Sequence, residues 1–249
     1  MKTGVFQLTE DPSVTLAYYL NSESSDMPNI KKRPAVIVFP GGGYSFCSDR
    51  EAEPIAIAYL AEGFNTFVLR YSLNEKSAFP NPLNDAEKAY ETVLKRSDEW
   101  RVDPEKIAVI GFSAGGHLAA ALATMSRVKP AALILAYPCI LETTSRVLAM
   151  PMPGLEDKVN SATPPTFLFS TAEDGLVPIE NTIAFSAALA RNSVPFESHI
   201  FQRGVHGLSL AKPLTSSGHG FLVDKSAALW LKLSVDWLFK LFGDFEIFD

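Results

Sequence analysis

Cysteine is nearly missing: Cys47 and Cys139 are the whole supply, and no C-x-x-C pair exists. A disulfide framework is therefore excluded. Basic charge is in deficit, with 22 Lys and Arg against 28 Asp and Glu and a formal net charge of −6. No basic stripe is available to neutralise phosphates, so nucleic acid is not an expected partner. No apolar run reaches the roughly 18 residues of a membrane span, and no membrane partner is expected. The opening residues, MKTGVFQLTE, contain no apolar core of a signal peptide; a soluble, cytoplasmic protein is the expectation. H-E-x-x-H is absent and the four histidines are not at ligand spacing, so no metal site is expected. Internal repeats and low-complexity tracts are lacking too.

What is present is an ordinary globular composition, 47% hydrophobic and 20% charged over 249 residues. Disorder, collagen and coiled coil drop out, and the length suits one domain, 1–249, with a large core. Short apolar runs alternate with helical patterns. Strands are expected at Ser13–Leu20, Ala35–Phe39, Asn65–Tyr71, Lys106–Ile110, Ala131–Ala136, Thr166–Ser170 and Phe196–Phe201. Helices are expected at Glu51–Glu62, Asp85–Trp100, Ala114–Met125, Ile179–Arg191 and Asp224–Leu241. The alternation predicts βαβ units and a mostly parallel sheet covered on both faces, an α/β fold. Ligands of such sheets bind where the strands end, so the residues just after each strand matter most. Glu142–Pro165, carrying Pro151, Pro153, Pro164 and Pro165, breaks the alternation and is too long for an ordinary connection. It is either a cap or lid over the site, or a surface excursion with a short helix. Phe239, Phe242, Phe245 and Phe248 pack on their own domain or on a second copy, so a homo-oligomer stays open.

Gly111-Phe112-Ser113-Ala114-Gly115 places G-x-S-x-G between an expected strand and an expected helix. A tight strand-to-helix turn of small residues lifts a serine hydroxyl clear of the backbone, as a nucleophile requires. The bland alternative is a Gly-rich turn with a buried serine. Pro40-Gly41-Gly42-Gly43-Tyr44 follows the Ala35–Phe39 strand. Glycines there let backbone N–H groups turn toward a substrate and let a reacting carbon come close. No G-K-[ST] follows and no G-x-G-x-x-G is completed, which excludes a Walker loop and disfavours a dinucleotide site.

An acid is expected after a later strand, and Asp174 follows Thr166–Ser170 with a glycine turn behind it; Glu173 is its neighbour and competitor. Asp174 could instead shape that turn. Of the histidines, His117 lies one helical turn beyond Ser113 and reads as structural, and His199 is inside a strand. His206, in a Gly-Val-His-Gly loop after Phe196–Phe201, can reach back over the sheet. His219 has similar local chemistry but lies farther along. Ser113, Asp174 and His206 stand in the order Ser…Asp…His.

Together, Phe39–Tyr44, Gly111–His117, Thr163–Phe167, Thr171–Asp174 with Val177-Pro178, and Gly204–Gly207 resemble the bacterial α/β-hydrolase esterases often labelled xylanase-like or esterase/lipase, among them acetylesterases and relatives of acetyl-xylan and feruloyl esterases. The resemblance runs from about Arg33 to Trp237. It implies an α/β-hydrolase fold and no cofactor. It places the nucleophile on Ser113, the acid on Asp174, the base on His206, and the oxyanion donors on Gly42, Gly43 and Ala114. Pro40 stands where the related H-G-G-G loop has histidine.

A serine esterase is the expected function, with a short acyl ester, acetyl first, on a carbohydrate or similar alcohol. Tyr44, beside the oxyanion glycines, is the expected substrate-binding residue that narrows the acyl side. A peptidase or amidase on the same fold, and a non-catalytic binding protein, are the alternatives.

Overall fold

A computed structural model of the chain describes residues 1–248. Among the described residues, eight strands form one sheet in the order β1-β2-β4-β3-β5-β6-β7-β8. They are β1 (Lys2–Gln7), β2 (Thr15–Leu20), β3 (Arg33–Phe39), β4 (Asn65–Arg70), β5 (Val102–Phe112), β6 (Ala132–Ala136), β7 (Thr166–Thr171) and β8 (Phe196–Phe201). β1–β2 and β2–β4 pair antiparallel, and every pairing from β4 across to β8 is parallel.

The sheet separates two apolar layers because strand side chains alternate in direction. Ala35, Ile37 and Phe39 of β3 pack with Val109 and Leu133 toward α2 (Asn81–Lys95), α3 (Ala114–Met125) and α4 (Glu180–Arg191). Val36 and Val38 pack the other way, with Ala108 and Ile110, toward α1 (Glu53–Ala61) and α5 (Trp230–Phe242). Strands buried on both faces read as near-continuous apolar runs, and β3, from Pro34 onward, and β6 are such runs, buried along their whole length. Burying one Val, Leu, Ile or Phe is worth about 1.5–3 kcal/mol, so the central strands hold the frame rigidly. No helix among the described residues is long and apolar enough to cross a membrane.

Several boundaries differ from expectation. β1 was not expected; its residues alternate between exposed and half-buried on a sheet edge, so its apolar signal is thin. α2 starts at Asn81, with Pro82 in its first turn where a missing N–H is harmless, four residues before the expected Asp85. α5 starts at Trp230. The expected first turn from Asp224 is a separate piece: Asp224 Oδ1 accepts the Ala227 N–H at 2.7 Å and a 3-10 turn covers Ala227–Leu229.

Within Glu142–Pro165 the only regular element is a 3-10 turn, Glu142–Val147. Met152, Leu155 and Val159 are buried in the α2–α3–α4 layer, and Leu155 N–H donates to the Ile140 carbonyl at 3.0 Å. Phe239 packs on Phe64 with ring centroids 5.2 Å apart and on Phe245 at 6.0 Å, and Arg33 lies over the Phe245 ring at 5.6 Å. Most of the Phe-rich tail therefore contacts its own chain, while Phe248 remains exposed.

Candidate active site

The loops that follow β3, β5, β7 and β8 meet at the carboxyl edge of the parallel sheet, as such folds require. At the end of β5, Ser113 adopts φ 52°, ψ −115° before α3 begins. A serine pays strain for positive φ and is held there by its surroundings. Its N–H donates to the Ala136 carbonyl at 3.0 Å and its carbonyl accepts from Cys139 N–H at 3.2 Å. The flanking glycines are steric necessities: a Cβ on Gly111 would lie 2.1 Å from the Gly115 carbonyl oxygen, and one on Gly115 would lie 2.1 Å from that of Phe39.

Ser113 Oγ is 2.7 Å from His206 Nε2. His206 Nδ1 is 2.7 Å from Asp174 Oδ2. The other carboxyl oxygen, Asp174 Oδ1, accepts the N–H groups of Leu176 and Val177, both at 2.9 Å. Asp174 is buried, and its two oxygens thus have separate tasks: one ties it to the backbone, the other faces the imidazole. Acceptance at Oδ2 requires the proton on Nδ1, which leaves Nε2 free to accept from the Ser113 hydroxyl. Glu173 points elsewhere and accepts the Gly204 N–H at 3.3 Å. His199 pairs with Glu197 at 2.8 Å within β8, and the His219 ring stacks on Phe221 with centroids 5.1 Å apart.

The glycine loop after β3 is pinned at nearly every carbonyl. Gly41 O accepts from Ser48 N–H at 2.9 Å, Gly42 O from Ser45 at 3.0 Å, Gly43 O from Ala149 at 2.7 Å and Tyr44 O from Asn74 at 2.8 Å. The N–H groups of Gly42, Gly43 and Ala114 have no partner among the described residues. Gly42 and Gly43 have φ 125° and 64° and line a cleft of about 420 Å³ together with Ser113 and His206. The rest of its wall mixes apolar Phe46, Val147 and Leu176 with polar Ser45, Ser48, Arg50 and Glu51. Val147 comes from the Glu142–Pro165 excursion, so that segment supplies a wall to the cleft.

Tyr44 requires a correction. Its backbone turns through φ 61°, and its ring is fully buried away from the cleft. The hydroxyl meets His117 Nδ1 at 2.9 Å, and His117 Nε2 meets the Pro153 carbonyl at 3.0 Å. His117 must donate from Nε2 to that carbonyl, so Nδ1 accepts the Tyr44 proton. Burial holds the imidazole neutral by lowering its pKa to about 4. Tyr44 therefore packs beneath the glycine loop and does not touch the cleft.

Glu51, Arg50 and Tyr137 are features that the sequence did not single out. Glu51 Oε2 accepts the Gly41 N–H at 2.9 Å and Oε1 accepts the Tyr137 hydroxyl at 2.6 Å. Burial raises the Glu51 pKa, against the Tyr137 and Gly41 hydrogen bonds and the charge of Arg50. Arg50 donates to the Thr215 carbonyl at 2.5 Å and the Gly207 carbonyl at 2.6 Å, clasping the loop that carries His206. Only the three-dimensional arrangement brings these residues to the site; nothing local marks them.

The chain is similar to several known proteins. The family model described as BD-FAE matches residues 24–146. The crystal structure of MGS-M1, an α/β hydrolase enzyme from a Medee basin deep-sea metagenome library, is 44% identical, covers 97% of this chain and 98% of that one, and superimposes with a TM-score of 0.92. An acetyl ester-xyloside bifunctional hydrolase from Caldicellulosiruptor lactoaceticus is 34% identical over 96% of each chain, with a TM-score of 0.82. Endo-1,4-β-xylanase B of Butyrivibrio fibrisolvens is 34% identical over 75% of this chain. The chain spans only 34% of that xylanase's length. With nearly full-length coverage at this identity, the chain belongs to the α/β-hydrolase family of enzymes.

Proposed function

We propose that the protein hydrolyses short-chain carboxylic esters, acetyl esters first, on a polar alcohol such as a carbohydrate. The single observation that carries the chemistry is the unbroken hydrogen-bonded chain Ser113 Oγ–His206 Nε2 and His206 Nδ1–Asp174 Oδ2, opening into a cleft beside two unpartnered glycine amides. Ser113 attacks the ester carbonyl as His206 Nε2 takes its proton. Asp174 holds the imidazole tautomer and stabilises the imidazolium. The N–H groups of Gly42, Gly43 and Ala114 receive the oxyanion; one such donor is typically worth about 10²–10³ in kcat. His206 then gives its proton to the leaving alcohol, and water deacylates Ser113 by the same steps in reverse roles.

The names of the relatives support ester hydrolysis, and the acetyl ester-xyloside hydrolase supports the acetyl and sugar parts. The mixed wall supports them as well: Phe46, Val147 and Leu176 suit a small acyl group, while Ser45, Ser48 and Arg50 suit hydroxyls. Glycoside hydrolysis is named in two relatives but has less support from this cleft, whose wall carries one carboxylate, Glu51, where the usual glycosidase mechanism takes two flanking the glycosidic bond. The test is fluorophosphonate labelling with peptide mapping, run beside hydrolysis of acetyl-aryl esters and acetylated xylo-oligosaccharides. Label on Ser113 and no turnover by Ser113→Ala are expected. An unlabelled Ser113 in active protein rejects the nucleophile. Hydrolysis of aryl acetates without any acetylated sugar rejects the carbohydrate part.

A further inference from the structure

Glu51 is a buried carboxylate on the wall of the cleft that the chemistry above does not use. Its two oxygens face opposite halves of the site. Oε2 holds the N–H of Gly41, whose next two residues supply the glycine amides of the cleft. The approach is close: a Cβ on Gly41 would lie 2.6 Å from Glu51 Oε2 and 3.1 Å from Ser113 Cβ. Oε1 holds the hydroxyl of Tyr137, which is buried just after β6. The Tyr137 ring stands edge-on to the His206 imidazole, with centroids 5.1 Å apart and planes at 71°. Its hydroxyl oxygen also accepts the N–H of Ser209, three residues beyond His206, at 2.9 Å. Ser209 Oγ in turn donates to the carbonyl of Arg50, the neighbour of Glu51. Both carboxyl oxygens are acceptors here, and both donors are tied to segments that carry chemistry.

A carboxylate taken out of water is costly unless its partners are well placed. An apolar side chain would avoid that cost but would leave Gly41 and Tyr137 without acceptors. Only an acceptor with two oxygens pointing apart meets both needs.

We propose that Glu51 is a positioning residue: one carboxylate that sets the oxyanion loop, through Gly41, and the histidine loop, through Tyr137 and Ser209, in register with each other. The proposal rests on the roles given above to Ser113, His206 and the glycine amides. Ground-state binding depends little on that register, whereas the tetrahedral species depends on it strongly, because small displacements of catalytic groups are expensive in rate.

The experiment compares the wild-type chain with Glu51→Gln, Tyr137→Phe and the double variant. Each is normalised to active sites titrated with a fluorophosphonate. Glutamine has one accepting oxygen and can satisfy Gly41 or Tyr137 but not both. Its kcat on an acetyl-aryl ester is expected to fall roughly 10- to 100-fold with KM changed less than about threefold. The rate constant for fluorophosphonate inactivation, which needs the same loop and base but no deacylation, falls in parallel. Tyr137→Phe keeps the ring and loses one arm, so its kcat falls less. The double variant falls no further than Glu51→Gln, because both act on one linkage. A merely structural role would lower the melting temperature and the titrated fraction while leaving kcat per active site intact. That result, or a loss confined to KM, overturns the proposal. If Glu51→Gln does not fold, Tyr137→Phe decides: a kcat loss at constant KM supports the brace, and wild-type kcat rejects it. Failure of the wild type to label at Ser113 would reject the underlying nucleophile assignment, a separate outcome.

Discussion

Ser113 and His206 are 93 positions apart in the chain, yet Ser113 Oγ and His206 Nε2 lie 2.7 Å from each other. The contact is made by two loops on different strands, β5 and β8, with β6 and β7 between them in the sheet. Strand order therefore controls this distance, and the rigidity of the buried strands makes it reproducible.

The acid is tested by comparing neighbours. Asp174→Asn presents the imidazole in the wrong tautomer and is expected to lower kcat by about 10⁴. Glu173→Gln removes a charge at an exposed site and keeps an oxygen that can accept the Gly204 N–H, so it is expected to change kcat less than about twofold. Steady-state kinetics on an acetyl-aryl ester checks both; a larger loss from the Glu173 change would shift the acid by one residue.

The glycine loop separates space from backbone conformation. A Cβ on Gly42 would lie 2.1 Å from the Phe46 carbonyl oxygen, so Gly42→Ala must displace the loop. Its kcat is expected to fall by about 10² or more, the scale of one oxyanion donor. Gly43→Ala meets nothing closer than the Val147 carbonyl oxygen at 3.1 Å and keeps its N–H at a left-handed φ of 64°. It is expected to retain at least ten times the kcat of Gly42→Ala, both proteins being checked for folding by circular dichroism.

His117 couples stability to pH. Its folded pKa is about 4, against 6.5 for the free side chain. The unfolded chain thus binds a proton below about pH 6.5 that the folded chain refuses until near pH 4. Stability from this group is present above pH 6.5 and is lost as pH falls, by about 3 kcal/mol in all. Urea unfolding of the wild type and His117→Gln at about pH 7 and about pH 4.5 should differ in their pH losses by roughly 2–3 kcal/mol, the variant losing less. Equal losses would mean that His117 is solvated in the folded state.

Acyl length reads the cleft. Each extra buried CH₂ would add about 0.8 kcal/mol if a complementary tunnel existed. The cleft of about 420 Å³ also has to admit an alcohol. Acetyl and propionyl aryl esters are expected to give the highest kcat/KM, with a decline by butyryl to hexanoyl and little activity on decanoyl. An optimum at eight carbons or more would reject the short-acyl assignment.

Much of the frame was legible because each central strand is a short apolar run bounded by polar turns, and because small residues at Gly111–Gly116 are forced by sterics that leave a trace in sequence. The positions of Asp174 and His206 just past strands were readable for the same reason. What was not readable depends on direction or distance. Tyr44 sits beside two cleft-lining glycines in sequence, but the loop runs through positive φ at Gly42, Gly43 and Tyr44, and the Tyr44 ring is buried against His117. Glu51 reads locally as an ordinary helix-start acid, and its partner Tyr137 is 86 residues away. β1 was missed because an edge strand exposed along one side needs few apolar residues.

The strand that delivers His206 is also the margin of the sheet: β8 pairs on one side only, with β7, and most of its residues are half exposed. Margins detach at lower free energy than cores. The operational lifetime of the catalyst is then expected to follow peeling of this border ahead of melting of the two packed layers. Cavity-filling substitutions beneath β3 or β6 would raise the melting point and leave the half-life of activity nearly unchanged. Reinforcement of the β7–β8 ladder, or of the clasp that Arg50 makes on Gly207 and Thr215, would lengthen it.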